Sequence, residues 1–398
     1  MTALNLAHIA RRFPLVDRPR PAYPPIEERI NEITRLAADA DRSDEPLPVV
    51  AQALNKAALI ASDCGLPDLA RELCWRQVGP YRSAERLTIQ QARHMLEPVV
   101  NLARLRIRAD DAAAAWSLLN TLHHALKANT DPVIEGIPLP TSDLTGSTEE
   151  YRELRRWMWG VYLSEGTRAL VQLGRWQEAL THADQNKGIG RHLLDGRQVK
   201  IVSGCLAGDA GVALAVLEQS TLSEPWEAQV AACLWVMCRL AAGDSAKREV
   251  IRMIEQYLAG TRAPGQAVFR ARLGLTVVDL TARADPTKLG PAYACLISEA
   301  LASADGYVAR EVLSHEGCKA MLIGTEEQAL ATAMQSSGLG LRTIPAHLMP
   351  DFFAAVMLCE TVLERSLPLP PRPPHLRDDD SSAPDAPHFS VVNGYAQQ

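Results

Sequence analysis

From Ile26 to about residue 365, apolar side chains return every three to four positions, the spacing of a helix that buries one stripe. The run "IEERINEITRLAADA" sets the pattern with Ile30, Ile33 and Leu36. Alanine and leucine are abundant, β-branched runs are short and aromatics make up only 5% of the chain, so propensity also favours helix. An all-α fold is the expectation.

The breaks between these helices resemble one another. In "LVQLGRWQEALTHADQ", Gly174 is followed by Trp176, Ala179 and Ala183. A glycine can close the first helix in the left-handed conformation, the aromatic plugs the turn, and the alanine lets the second helix approach its partner closely. Similar layouts occur as Gly65, Pro67, Ala70 and Cys74, as Gly208, Ala210, Ala213 and Leu217, and as Gly324, Glu326, Ala329 and Ala333. Weaker versions surround Ala109, Gly243 and Ala284. Start signals fit: Ser147 and Glu150 form a capping box, Thr325 and Gln328 another, and Ser223 is placed to cap a helix entered through Glu224 and Pro225. Gly174 and Gly208 lie 34 residues apart, and Gly208 and Gly243 35.

That interval is the length of one tetratricopeptide unit. The chain resembles a tetratricopeptide-repeat-like (TPR-like) helical solenoid, best over residues 150 to 260 and in looser form from 48 to 335; later intervals stretch to 41 and 40 residues and few units carry the aromatic. The resemblance implies a right-handed superhelical solenoid of antiparallel helix pairs over residues 26–365. It also implies that first helices line a concave groove for an extended peptide or another protein. Aligned on the turn glycines, groove positions fall at Asn55 and Ser62, at Ser164, Arg168 and Gln172, and at Asp195 and Gln198. Asn55 stands where family members that clamp a terminal carboxylate have lysine, and the next positions, Cys233 and Met237, are apolar, as if buried. The polar row reads equally as solvated surface.

Residues 1–25, ending in "RPRPAYPP", read as a mobile or extended N-terminal arm because each proline removes a donor and biases its predecessor away from helix. The run at 127–149 carries three prolines and two glycines and reads as a long mobile or binding loop. Residues 366–398 read as a disordered Pro-rich tail.

A formal charge of -6 argues against a nucleic-acid-binding face. The N-terminus lacks a signal-peptide core and no run approaches about 18 apolar residues, so a cytoplasmic protein that avoids membranes is expected. The eight cysteines lie mostly in apolar helical patterns, the setting of buried, reduced thiols.

No catalytic signature is present. "NKGIGRHLLDGRQ" has Gly188, Gly190 and Gly196 but lacks the strand, spacing and Lys-Ser/Thr pair of a phosphate loop, and reads as an inter-helix loop. His123 and His124 are adjacent and diverge on a helix, and "SHEGCKA" lacks the second histidine of a zincin. Neither a metal nor a cofactor is expected. In "RELRRWMWGVYL", arginine and tryptophan share one helix, the residue types of interface anchors, with Trp157 and Arg168 the positions placed to face a partner.

The leading expectation is therefore a non-enzymatic protein- or peptide-binding adaptor or regulator. Two rivals stand beside it: a ligand-sensing regulator acting through a partner, since residues 1–45 are too short and Pro-rich for a helix-turn-helix, and an accessory enzyme of specialised metabolism with a pocket inside the solenoid.

Overall fold

The computed structural model describes residues 6–84 and 86–367. A short helix, α1 (Leu6–Ala10), and an extended stretch lead into α2 (Ile26–Arg42). Six consecutive pairs follow: α3 (Leu47–Asp63) with α4 (Pro67–Val78), α5 (Ile89–Arg108) with α6 (Ala112–Ala128), and α7 (Thr148–Gln172) with α8 (Trp176–Gln185). The next are α9 (Asp195–Ala207) with α10 (Ala210–Glu218), α11 (Pro225–Ala241) with α12 (Lys247–Ala259), and α13 (Ala267–Ala284) with α14 (Leu289–Ser303). The described part closes with α15 (Gly306–Leu313), the single turn α16 (Glu316–Lys319), α17 (Gly324–Ser336) and α18 (Met349–Ser366).

The chain is all-α, with one two-residue hairpin, β1 (Val133–Ile134) and β2 (Ile137–Pro138), among the described residues. Within each pair the helices pack on one another. First helices also meet the first helices of neighbouring pairs, from α3 through α5, α7, α9, α11 and α13 to α15. The row does not remain open at its ends, because α18 packs against α2 and α3. Tyr307 at the start of α15 donates to Asp63 at the end of α3 (2.5 Å), and the Gly340 and Arg342 N–H groups bond the Asp63 and Cys64 carbonyls (2.7 and 2.6 Å).

Local chemistry explains the turns. Gly65, Gly174, Gly208 and Gly243 all sit at positive φ (+71° to +86°), the conformation in which only glycine escapes a Cβ clash. The following alanines, Ala70, Ala179 and Ala213, are buried where the second helix meets the first. The Ser147 hydroxyl accepts the Glu150 N–H at 3.2 Å and starts α7. Two start signals sit elsewhere than expected. Helix α17 begins at Gly324, with the Glu326 carboxylate accepting the Ile323 N–H (3.2 Å), so Gly324 opens a helix instead of closing one. At α11 the Glu227 carboxylate, not the Ser223 hydroxyl, takes up the N–H groups of Ser223 and Glu224 (2.7 and 3.0 Å).

Two adjoining cores fill the array, one under α2 to α7 with α18 and one under α7 to α17, and Trp116 packs against both. Seven of the eight cysteines are buried, Cys295 is partly so, and none is in a disulfide. The residues at 127–149 are tied to the helices around them. Glu135 at the hairpin turn accepts from Arg71, Arg106 and Trp75 (2.5, 2.5 and 3.0 Å), while Ile134, Leu139 and Leu144 are buried beneath it. Composition registered the prolines but not these anchors. The tail at 366–398 lies, from residue 368 on, outside the described residues.

The glycines of "NKGIGRHLLDGRQ" have a packing explanation at two positions. A Cβ on Gly196 would lie 2.5 Å from the Gly188 carbonyl oxygen, and one on Gly188 would lie 2.5 Å from Leu163 Cδ1. Gly190 meets nothing within 4 Å. Gly196→Ala is expected to cost about 1–3 kcal/mol, because backbone must move to admit the methyl. Gly190→Ala should stay within about 0.5 kcal/mol. Urea unfolding of the two variants tests the contrast, and equal losses would sink it.

Candidate functional site

The side of the array lined by first helices is already partly filled by the chain itself. The arm read as mobile is packed along it from Leu6 to Tyr23, since Ile9, Ala10, Phe13 and Leu15 are buried in the second core. The prolines do keep it out of regular structure beyond α1, as expected, but four apolar side chains within it find a core to enter.

Gln198 of α9 grips this arm as a strand neighbour would. Its amide oxygen accepts the Leu15 N–H and its amide nitrogen donates to the Leu15 carbonyl, both at 2.7 Å, with a further bond to the Leu193 carbonyl at 2.6 Å. The residue is fully buried, so these bonds satisfy groups that would be costly to leave unmade. Asp195, one turn earlier, pairs with Arg18 at 2.5 Å. Farther along, Arg12 meets buried Asp279 of α13 at 2.6 Å and its carbonyl accepts from Arg272 at 3.0 Å. His315 holds the other oxygen of Asp279 at 3.0 Å. Burial alone would raise the Asp279 carboxyl, but the His315 bond and the Arg12 charge hold it below the usual carboxylate range. Beyond them the Arg20 N–H reaches the Gly265 carbonyl (3.1 Å) and the Tyr23 N–H reaches Asp305 (2.9 Å).

The remainder of this face is unfilled. A cavity of about 380 Å³ lies over α3 and α5, bordered by Asn55, Lys56, Glu97, Asn101, Arg104 and Arg108. A polar ladder crosses it: Asn101 donates to Asn55 (2.9 Å), Arg104 donates to Asn101 (2.8 Å) and to Glu165 of α7 (2.9 Å), and Arg168 pairs with Glu165 (3.1 Å). Glu165 is buried; that burial pushes its carboxyl up, but Arg168 and Arg104 bring it below the usual range.

Of the residues singled out from the sequence, Asn55 and Arg168 therefore stand at the two ends of one ladder, and Asp195 and Gln198 hold the arm. Three others are engaged elsewhere. Trp157 is half-buried against the first core, Ser164 donates to the Val161 carbonyl one turn back (3.3 Å), and Gln172 ties down the α5–α6 turn through the Ile107 carbonyl and Asp110 (3.0 and 2.8 Å). Cys233 and Met237 are buried, as their apolar character suggested. Asn101, Arg104, Glu165 and Asp279 were not found from the sequence. Their partners lie 61 residues away for Arg104 and Glu165 and 267 for Arg12 and Asp279, and no local pattern marks such pairs.

No family model, curated protein or solved structure matches this chain. The first-helix face supplies polar side chains that hold backbone and arginines of an extended segment, beside a cavity. Among the described residues no group of three or more His, Cys, Asp or Glu is assembled to hold a metal ion, and no helix is long and apolar enough to cross a membrane.

Proposed function

We propose that this protein is a cytoplasmic, non-enzymatic adaptor or regulator, a TPR-like right-handed solenoid whose first-helix face binds an extended peptide or protein segment. Helix pairs in series, with first helices touching across pairs, support the solenoid reading. The observation that carries the binding reading is the pair of hydrogen bonds between the Gln198 amide and the Leu15 backbone, since such a contact recognises extended main chain whatever its side chains. The incoming segment would occupy the cavity beside the arm, between Asn55 and Arg168, where Lys56, Arg104 and Arg108 are already paired with Glu32, Glu165 and Asp63 and the Asn55 and Asn101 amides line the wall. The ligand-sensing alternative draws on a second cavity, taken up below.

Two measurements test this reading. Partners captured by the full chain should include one that is lost with Arg168→Glu, a half-exposed position beside buried Glu165, in a variant whose circular dichroism and unfolding midpoint show that it remains folded. In addition, a chain lacking residues 1–24 should bind the arm supplied as a free peptide, and Gln198→Ala should weaken that binding at least tenfold. A partner set unchanged by Arg168→Glu, together with a folded truncated chain that ignores the peptide, would overturn the proposal.

A further inference from the structure

A second cavity, of about 490 Å³, opens away from the arm, between α6, α7 and the α8–α9 connection. Five cationic side chains line it (Lys127, Arg152, Arg155, Arg156 and Lys187) and no carboxylate does, in a chain whose net charge is -6. Arg152, Arg155, Arg156 and Trp159 stand at positions i, i+3, i+4 and i+7, the pattern that places them on one face of α7. Only Arg152 among the five is neutralised, by Glu149. Lys127, Arg155, Arg156 and Lys187 have no carboxylate within 4.0 Å among the described residues. Like charges gathered at that spacing repel, and a concave wall concentrates their field, so the arrangement favours occupation by an anion.

The aromatic wall is equally specific. Trp159 is 40% exposed, yet its indole N–H is fixed on the Asn186 carbonyl at 3.0 Å, so one ring is held rigidly at the cavity. His123, also lining it, stacks on Tyr162 with centroids 4.1 Å apart. Burial, then the charges of His124, Lys127, His182 and Arg155, lower its pKa to about 4, so at neutral pH the ring is a neutral stacking surface and not a sixth cation. Guanidinium groups match phosphate oxygens in pairs, and an exposed tryptophan offers a face to a planar ring. The volume falls within the range of small-ligand sites.

We propose that this cavity binds a small phosphate ester bearing a planar ring, of the nucleoside-phosphate class, through Arg155, Arg156, Lys127 and Lys187 at the phosphates and Trp159 at the ring. The site is not a glycine-rich phosphate loop, since the Gly188 N–H is engaged by the Ala183 carbonyl and side chains supply the charge. It is separate from the peptide-binding face, and its test does not depend on that reading.

Calorimetric titration of the full chain with ADP, with pyrophosphate and with adenosine decides the matter. ADP should bind saturably, adenosine should not, and affinity for ADP should fall steeply with salt. Arg155→Glu/Arg156→Glu should weaken ADP at least tenfold; both positions are exposed, so the fold is retained. Trp159→Leu should weaken ADP about fivefold or more and leave pyrophosphate unchanged. No saturable binding of ADP or pyrophosphate at millimolar concentration, or binding indifferent to the double charge reversal, would overturn the site. Equal loss of ADP and pyrophosphate with Trp159→Leu would overturn the ring half.

Discussion

Truncating Phe13 to alanine is expected to lower the free energy of unfolding by about 3–5 kcal/mol, the range for emptying a buried aromatic site. Phe13 is 2% exposed and lies in the same core as Ile9, Leu15, Val199 and Leu280. The loss has a ceiling. Once it exceeds the free energy that holds the arm on the array, the arm detaches locally and the rest of the fold loses nothing more. Denaturant midpoint and trypsin susceptibility should therefore be read together: the midpoint falls, and cleavage after Arg11 and Arg12 accelerates. By contrast Arg18→Ala breaks an ion pair whose arginine is half-exposed, and should cost under about 1 kcal/mol. If Phe13→Ala left both midpoint and cleavage unchanged, the arm could not be part of the cooperative structure, and Gln198 would lose its role as the residue that holds it.

This pairing also marks how far the sequence could be read. Helix content, the glycine turns and the buried alanines were legible because each rests on neighbours within about one turn of helix. The arm was read as mobile from its prolines and arginines, although Leu6, Ile9, Phe13 and Leu15 stand in it at intervals of three, four and two residues. That spacing was the available signal, and composition masked it. Alignment to Gly208 puts Gln198 in the polar row of the first helices, and in the structure its side chain holds the Leu15 backbone. What it could not say was that the occupant would come from 183 residues upstream in the same chain. Gln172, aligned by the same rule, turned out to be tied to Asp110, because a polar residue near a helix end has nearby turn groups to bond as well as a groove to face.

The closing of the row on itself was illegible for the same reason. Asp63 accepts from Arg29 (2.9 Å), Arg108 (3.2 Å) and Tyr307, while Arg29 reaches on to the Ser337 carbonyl (3.2 Å) and lies over the Tyr23 ring (3.7 Å). Five segments apart in sequence meet there, and none of them carries a motif. If the first-helix face takes a guest as proposed, closure bounds that face and the arm already occupies part of it, which favours a single extended segment over a folded domain.

Arg270→Met should be the most destabilising single change away from the arm, at about 3–5 kcal/mol, because it leaves a buried carboxylate without its main counter-charge. Arg270 of α13 donates to both oxygens of Glu299 of α14 (3.1 and 2.6 Å) and to the Gln229 side chain (3.2 Å) and Tyr257 carbonyl, and stacks over the Tyr257 ring. Its side chain is 4% exposed and that of Glu299 11%. Burial raises the Glu299 carboxyl, yet the Arg270 bonds and charge bring it below the ordinary value. The folded state therefore binds that proton less tightly than the unfolded chain. The stabilisation is fully present above the ordinary carboxylate pKa of about 4.3 and is lost as pH falls below that value and through the lower folded-state pKa. Without Arg270 the remaining partners are exposed Arg262 and the Cys295 thiol, burial dominates, and the sign reverses. The gap between wild type and variant should then be widest at pH 7 and narrow by pH 4. Replacing both partners, as Arg270→Met/Glu299→Leu, should restore much of the loss, since an apolar pair avoids the buried charge and the Tyr257 carbonyl keeps the Gly260 N–H (3.3 Å). A double variant as unstable as the single one, or a gap that does not change with pH, would show that packing of the Arg270 stem, and not its charge, secures α13 to α14.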